Sequence, residues 1–183
     1  MQMSDERQIN APPDVVWAAL FDPEVLKACV PGCQDLTGSA QDGYEATVVQ
    51  KVGPVKATFK GTVTISDVNA PESCTLTGEG KGGAAGFAKG AARVRLSPGA
   101  DGGTVLAYEV DASVGGKLAQ LGSRIVDGFA RRMAGEFFTR FQDRIEGPAE
   151  PEPPASETSQ STEPKAEAPA EPGKKGWVKR LFT

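Results

Sequence analysis

No histidine occurs in the 183-residue sequence. That removes Ser-His-Asp and Cys-His nucleophilic catalysis, histidine general bases and mixed Cys/His zinc sites from the chemistry open to the chain. The groups that remain are three cysteines, a glycine-rich run, a pair of carboxylates and two tyrosines. Cys29 and Cys33 stand in a C-x3-C spacing without the second pair that a zinc cage needs, and Cys74 makes the count odd, so all three read as reduced, structural thiols. Gly78-Glu-Gly-Lys-Gly-Gly83 satisfies G-x-G-x-x-G, but that fingerprint needs a strand before it and a helix after it, whereas a second strand follows here. The run reads instead as a hairpin turn, or, with Gly86, Gly90 and Ala92, as small residues that leave room on the inner wall of a sheet; the second reading is preferred. Glu109 and Asp111 share one strand with outward parity, so they form a solvated face rather than an acid/base pair. Tyr108 and Tyr44 have inward parity, where an aromatic most often serves as core, and a buried hydroxyl needs a partner that a ligand carbonyl, a water or a backbone group can supply. Gln50 shares that parity, while Trp17 reads as a packing anchor.

The elements that position these groups follow from hydrophobic periodicity. Ser4 to Ile9 reads as a first strand. Pro12 and Pro13 then set a helix start with Val15, Val16, Ala19 and Leu20 as its apolar side, and Asp22-Pro-Glu-Val-Leu-Lys reads as a second short helix with Asp22 as N-cap. A turn at Cys29-Val-Pro-Gly-Cys33 leads into period-two segments. Tyr44, Ala46, Val48, Gln50 and Val52 face inward on one strand, Val55, Ala57, Phe59, Gly61, Val63 and Ile65 on the next, and Leu106, Tyr108, Val110, Ala112 and Val114 on a later one. Turn signals at Asp42-Gly43, Gly53-Pro54, Pro71, Gly82-Gly83 and Asp101-Gly102-Gly103 separate six or seven antiparallel strands. From Lys117 to Glu146 the period becomes helical through Leu118, Leu121, Ile125, Phe129, Met133, Phe137, Phe141 and Ile145. A four-residue step rotates such a stripe by roughly 40°, so the helix must bend near Gly128 or Gly135 or its halves must face different surroundings. The expected fold is α+β: a six- or seven-stranded antiparallel sheet curved around a long C-terminal helix, with two short helices after the first strand. This is a helix-grip architecture with a cavity between sheet and helix.

The globular body is expected to end at residue 146. Residues 147–173 form a linker rich in Pro, Glu and Ala, with seven of the fourteen prolines and six Glu against Lys165; lacking large apolar residues, it is expected to be disordered. Residues 174–183 invert that composition. Lys174, Lys175, Lys179 and Arg180 supply four cations, and Trp177, Val178, Leu181 and Phe182 would share one face of a helix, the pattern of a reversible anchor on an anionic membrane surface, with a peptide that docks on a partner protein as the alternative. The net charge of -4 argues against nucleic acid as a partner. A polar start and the lack of any run of about 20 apolar residues predict a cytoplasmic protein, held peripherally at the inner face of the cytoplasmic membrane.

The run from Ala11 through Val15-Val-Trp-Ala-Ala-Leu-Phe-Asp-Pro-Glu-Val-Leu-Lys-Ala-Cys-Val-Pro-Gly-Cys33 resembles the opening of the CoxG family, named for carbon monoxide dehydrogenase, within the START and polyketide-cyclase-like (SRPBCC) superfamily. Val52-Gly-Pro-Val-Lys-Ala-Thr-Phe-Lys-Gly61, Gly86-Phe-Ala-Lys-Gly-Ala-Ala92, and Val105-Leu-Ala-Tyr-Glu-Val through Val114-Gly-Gly-Lys-Leu-Ala-Gln-Leu-Gly122 extend the resemblance over about residues 4 to 146. It implies a non-catalytic accessory protein that accompanies a molybdenum-containing dehydrogenase, brings it to the cytoplasmic membrane and handles a hydrophobic quinone such as menaquinone or ubiquinone. It supplies no catalytic motif and no metal or covalent cofactor.

Parity and the early helix stripe nominate Phe59, Leu76, Val94, Leu106, Tyr108, Leu121, Ile125 and Phe129 as the cavity lining. The leading expectation is a ligand-binding adaptor. A tethering adaptor without a ligand is the alternative, and a cyclase- or aromatase-like enzyme a more distant one, because the chain has no histidine and its clearest strands carry no inward carboxylate.

Overall fold

A computed structural model describes residues 1–147. Seven strands form one antiparallel sheet: β1 (Gln2–Ile9), β2 (Cys33–Ser39), β3 (Gly43–Val52), β4 (Val55–Asn69), β5 (Ser73–Lys81), β6 (Phe87–Pro98) and β7 (Thr104–Gly115). Their spatial order is β1-β7-β6-β5-β4-β3-β2, a meander from β2 to β7 with β1 added at the far edge. Two helices, α1 (Pro13–Leu20) and α2 (Pro23–Cys29), fill the β1–β2 connection, and α3 (Lys117–Gln120) and α4 (Ser123–Glu146) follow β7. The helix-grip expectation holds, with the strand count resolved to seven.

The register confirms the inward face. Tyr44 pairs with Val63, Val48 with Phe59 and Val52 with Val55; Leu76 pairs with Ile65 on one side and Ala92 on the other; Val94 pairs with Tyr108. Local chemistry sets the helix starts. The Asp22 carboxylate accepts hydrogen bonds from Glu24 N at 2.8 Å and Val25 N at 3.3 Å, which satisfies two orphan donors of the first turn of α2. Helix α1 has no such cap and relies on Pro13, whose fixed φ suits a helix start.

The C-terminal helical stretch is interrupted at Gly122, whose φ of +85° ends α3 before α4 begins, and not at Gly128 or Gly135, which lie in open space within α4. A left-handed residue cannot continue a helix, and glycine adopts it without steric cost. The second half of α4 carries the core contact. Phe138 and Phe141 are buried with Ile9, Val16, Cys29, Leu106 and Tyr108, whereas Ile125 in the first half is 43% exposed. Gly61 and Gly90 of the inner wall serve a purpose other than making room. A Cβ at Gly61 would stand 2.8 Å from the Glu79 carbonyl oxygen, and one at Gly90 2.5 Å from that of Asp111. Both distances are too short for any side chain, so these positions let neighbouring strands coil closely.

Candidate ligand-binding site

Between the middle of α4, the α1–α2 pair and the centre of the sheet lies a cavity of about 310 Å³. Helix α4 contributes Met133, Ala134, Phe137 and Phe138; α1, α2 and the segments after them contribute Leu20, Phe21, Leu26, Val30 and Pro31. The floor is Cys74, Leu76, Ala92, Val94, Leu106, Tyr108 and Val110 from three adjacent strands, with Met3 at the β1 edge. Ala92 and Ala134 keep opposite walls apart, while the ring cluster holds the frame: Tyr108 stacks on Phe138 at 5.0 Å, and Phe137 stacks on Phe141 at 5.6 Å. A wider depression of about 700 Å³ at the β1 edge differs in kind, being walled by Gln2, Arg93, Glu109, Asp111 and Arg131.

Four of the eight residues nominated from sequence line this cavity: Leu76, Val94, Leu106 and Tyr108. The other four lie outside it. Phe59 sits under Gly82, whose Cβ would fall 2.4 Å from the ring; Leu121 is the C-cap of α3; Ile125 is exposed beside Gly53; and Phe129 has Arg132 5.5 Å above its ring. The stripe rotates along the helix, and the face that meets the cavity is presented one to three turns later, by Met133, Ala134, Phe137 and Phe138. The membrane candidates Lys174, Lys175, Trp177, Val178, Lys179, Arg180, Leu181 and Phe182 lie outside the described residues, as does the linker beyond residue 147. Among the described residues no helix is long and apolar enough to cross a membrane.

The polar inward residues divide by role. The Tyr44 hydroxyl donates to the Phe21 carbonyl at 2.6 Å, and Gln50 Nε2 donates to the Pro31 carbonyl. Both side chains therefore fasten the chain around α1 and α2 over the sheet and position the cavity's outer wall. Gly32, with φ of +71°, passes so close to the Val49 carbonyl that no Cβ would fit, which fixes the same segment. Tyr108 is the one lining residue that carries a hydroxyl, and that hydroxyl is hydrogen-bonded with Arg7. Burial pushes its pKa up from the ordinary tyrosine value, Asp5 adds to the rise, and Arg7 and Arg131 oppose it. Burial likewise raises the Cys74 thiol, so both groups stay protonated at neutral pH. Cys29, Cys33 and Cys74 are all free thiols. Glu109 and Asp111 are exposed on the outer face, where Gln2 Nε2 donates to Asp111 Oδ2 at 3.1 Å.

Two charged residues beside Tyr108 escaped the sequence reading. Asp5 pairs in register with Tyr108 and Arg7 with Leu106, so both share the inner parity of buried Ile9. Arg7 Nη2 lies 2.8 Å from Asp5 Oδ2, and its guanidinium sits 5.9 Å from the Phe138 ring centroid. Counting back from Ile9 in steps of two would have found them; Asp and Arg on an edge strand otherwise read as solvated. Arg7 is a charge at the cavity's border and not among its lining residues.

Known structures share this fold. A conserved protein from Geobacillus kaustophilus superposes with a TM-score of 0.74 at 29% identity, covering 80% of this chain and 95% of that one. The protein TTHA0849 from Thermus thermophilus gives a TM-score of 0.58 at 16% identity, covering 80% and 97%, and Ara h 8.0201 gives 0.55 at 16%, also covering 80% and 97%. No curated protein sequence matches the chain. Residues 6–146 match the family model for the carbon monoxide dehydrogenase G subunit (CoxG), and the chain belongs to that family.

Proposed function

We propose that this protein carries a hydrophobic molecule, a respiratory quinone such as menaquinone or ubiquinone, in the cavity between sheet and α4, and links a molybdenum-containing dehydrogenase of the carbon monoxide dehydrogenase type to the cytoplasmic membrane. One observation carries the reading: a cavity of about 310 Å³ whose lining residues are apolar apart from Tyr108 and Cys74. Its volume is at the lower end of small-molecule sites, which run from about 300 to 1,000 Å³, and suits a ring with the first part of a tail. A protonated phenol donates to a quinone carbonyl, and a thiol held protonated by burial does not add to a quinone ring. The family membership supports an accessory role beside the dehydrogenase. With no histidine in the chain and Glu109 and Asp111 on the outer face, this reading assigns the chain binding and delivery and no bond-making step.

Mass spectrometry of an organic extract of the purified full-length chain tests the ligand. A quinone at near-stoichiometric amount is expected. An extract without any apolar molecule, together with no uptake of a short-chain ubiquinone analogue, would leave a tethering adaptor. The same reading assigns the membrane link to residues 174–183, and sedimentation with anionic vesicles tests it. Binding is expected to fall steeply between tens and hundreds of millimolar salt, and with Trp177→Ala plus Phe182→Ala.

A further inference from the structure

We propose that the body carries its own contact surface for an anionic lipid bilayer, at the end of the sheet where the β3–β4, β5–β6 and β7–α4 connections meet. The inference rests on the membrane half of the proposed function and on residues other than the tail.

Charge is segregated along the sheet. The segments 51–56, 81–87 and 115–125 contain Lys51, Lys56, Lys81, Lys117 and Arg124, all exposed, and no carboxylate; Lys81 is paired with Glu79 at 3.3 Å, and the other four carry the field. At the opposite end the turns 39–43, 67–73 and 98–104 contain Asp42, Asp67, Glu72 and Asp101, all exposed, and no cation. A chain of net charge -4 thus presents one positive pole. The three connections form one surface: Pro54, Lys56, Gly82, Ala84, Ala85 and Lys117 border a common depression, and a Cβ on Gly53 would lie 3.5 Å from Ile125 Cγ2.

The same pole exposes large apolar side chains. Phe87 and Ile125 are each 43% exposed, two of the four large hydrophobic residues so exposed among the described residues. Around the cations these segments hold mostly Gly, Ala, Pro and Val, with Gln120 and Ser123 as the uncharged polar side chains. Cations with apolar tips and few directional hydrogen-bonding groups match phosphate headgroups above acyl chains; a shaped protein partner would call for directional donors and acceptors. The position also suits delivery. Between the cavity and this pole the inner face is apolar and only half-buried, at Val48, Phe59, Val63 and Val114, so a molecule leaving the bilayer here meets an apolar path.

The test uses the full-length chain with Trp177→Phe and Phe87→Trp, the chain with Trp177→Phe alone as control, and vesicles of phosphatidylcholine with or without phosphatidylglycerol and doxyl-labelled lipid. The indole introduced at position 87 is expected to be quenched by doxyl lipid in anionic vesicles and not in neutral ones. Lys51→Glu, Lys56→Glu, Lys117→Glu and Arg124→Glu together are expected to abolish that quenching and lower vesicle affinity at least tenfold. Failure to bind, or binding without quenching at position 87, overturns the proposal; if native Trp177 is still quenched in the unaltered chain, the tail contact survives alone. Charge reversal that weakens binding to the dehydrogenase and leaves vesicle binding intact also overturns it, and makes this pole a protein interface.

Discussion

Ala92→Leu fills the cavity from its floor. Ala92 lies on the inner face between Leu76 and Val110 in register and borders the space of about 310 Å³. Three added carbons at about 0.8 kcal/mol each give about 2.4 kcal/mol of burial. The added carbons enter the open space of the cleft rather than packed neighbours. Lost rotamer freedom takes back about 0.5–1 kcal/mol, leaving about 1.5 kcal/mol, or about 3–6 °C in Tm for a chain of this length. Uptake of a short-chain ubiquinone analogue should fall at least tenfold in the same variant. Trp17, edge-on to Phe21 at 4.9 Å, reports uptake by fluorescence quenching in a Trp177→Phe background, and calorimetry of the ligand-free protein gives Tm. Ala91→Leu adds the same carbons on the outer face and should change neither quantity. An Ala92→Leu protein that melts no higher and still takes up the quinone would refute the assignment of this cavity.

Tyr108→Phe removes the one hydroxyl among the lining residues, so if it donates to the quinone, affinity should fall about 3- to 10-fold, the equivalent of about 0.5–1.5 kcal/mol for one hydrogen bond. Cys29, Cys74, Tyr44 and Tyr108 all have pKa values raised in the folded state, by burial first. The unfolded chain therefore loses these protons at lower pH than the folded one, and the stability they contribute is present below the ordinary thiol value and lost as pH rises through the folded values. Tm should decline above about pH 9, and Cys74→Ala should shallow that decline. Gly90→Val places a Cβ where the Asp111 carbonyl oxygen would be 2.5 Å away and Ala112 Cβ 2.7 Å away. Backbone cannot yield cheaply there, so denaturant titration should show a loss of more than about 2 kcal/mol.

The strands were legible because alternation is local. One face meets water and one does not, so Val55 through Ile65 disclose their own orientation, and the pairing of Tyr44 with Val63 and Val94 with Tyr108 follows once parity and turns are known. The cap at Asp22 was legible for the same reason: its chemistry is complete within four residues. The cavity's far wall depends on the register of α4 against the sheet, which periodicity leaves open. The stripe from Leu121 to Phe129 is as apolar as that from Met133 to Phe138, and only the break at Gly122 and the burial of Phe138 and Phe141 with Ile9, Leu106 and Tyr108 of β1 and β7 decide which part closes the cavity. Tyr44 and Gln50 show the same limit from the polar side. Their inward parity was visible, while their partners, the carbonyls of Phe21 and Pro31, come from segments about 20 residues away.

The cavity also bears on whether this protein is a carrier or only a tether. An apolar cleft of about 310 Å³ without an occupant leaves its lining in contact with water and forgoes the burial a ligand would supply, about 25 cal/mol per Å² of apolar surface covered. A protein that only tethers gains nothing from such a space, and small changes at Ala92 and Ala134 would close it. A carrier needs it, and its cargo restores part of the missing stability. At a free ligand concentration about 100 times Kd the gain is about 2.7 kcal/mol, or about 5–11 °C for a chain of this length. Protein stripped of apolar molecules by organic extraction and refolding should therefore melt several degrees below the same protein given a short-chain ubiquinone analogue, with the difference growing with ligand concentration. A Tm independent of added quinone would favour the tether.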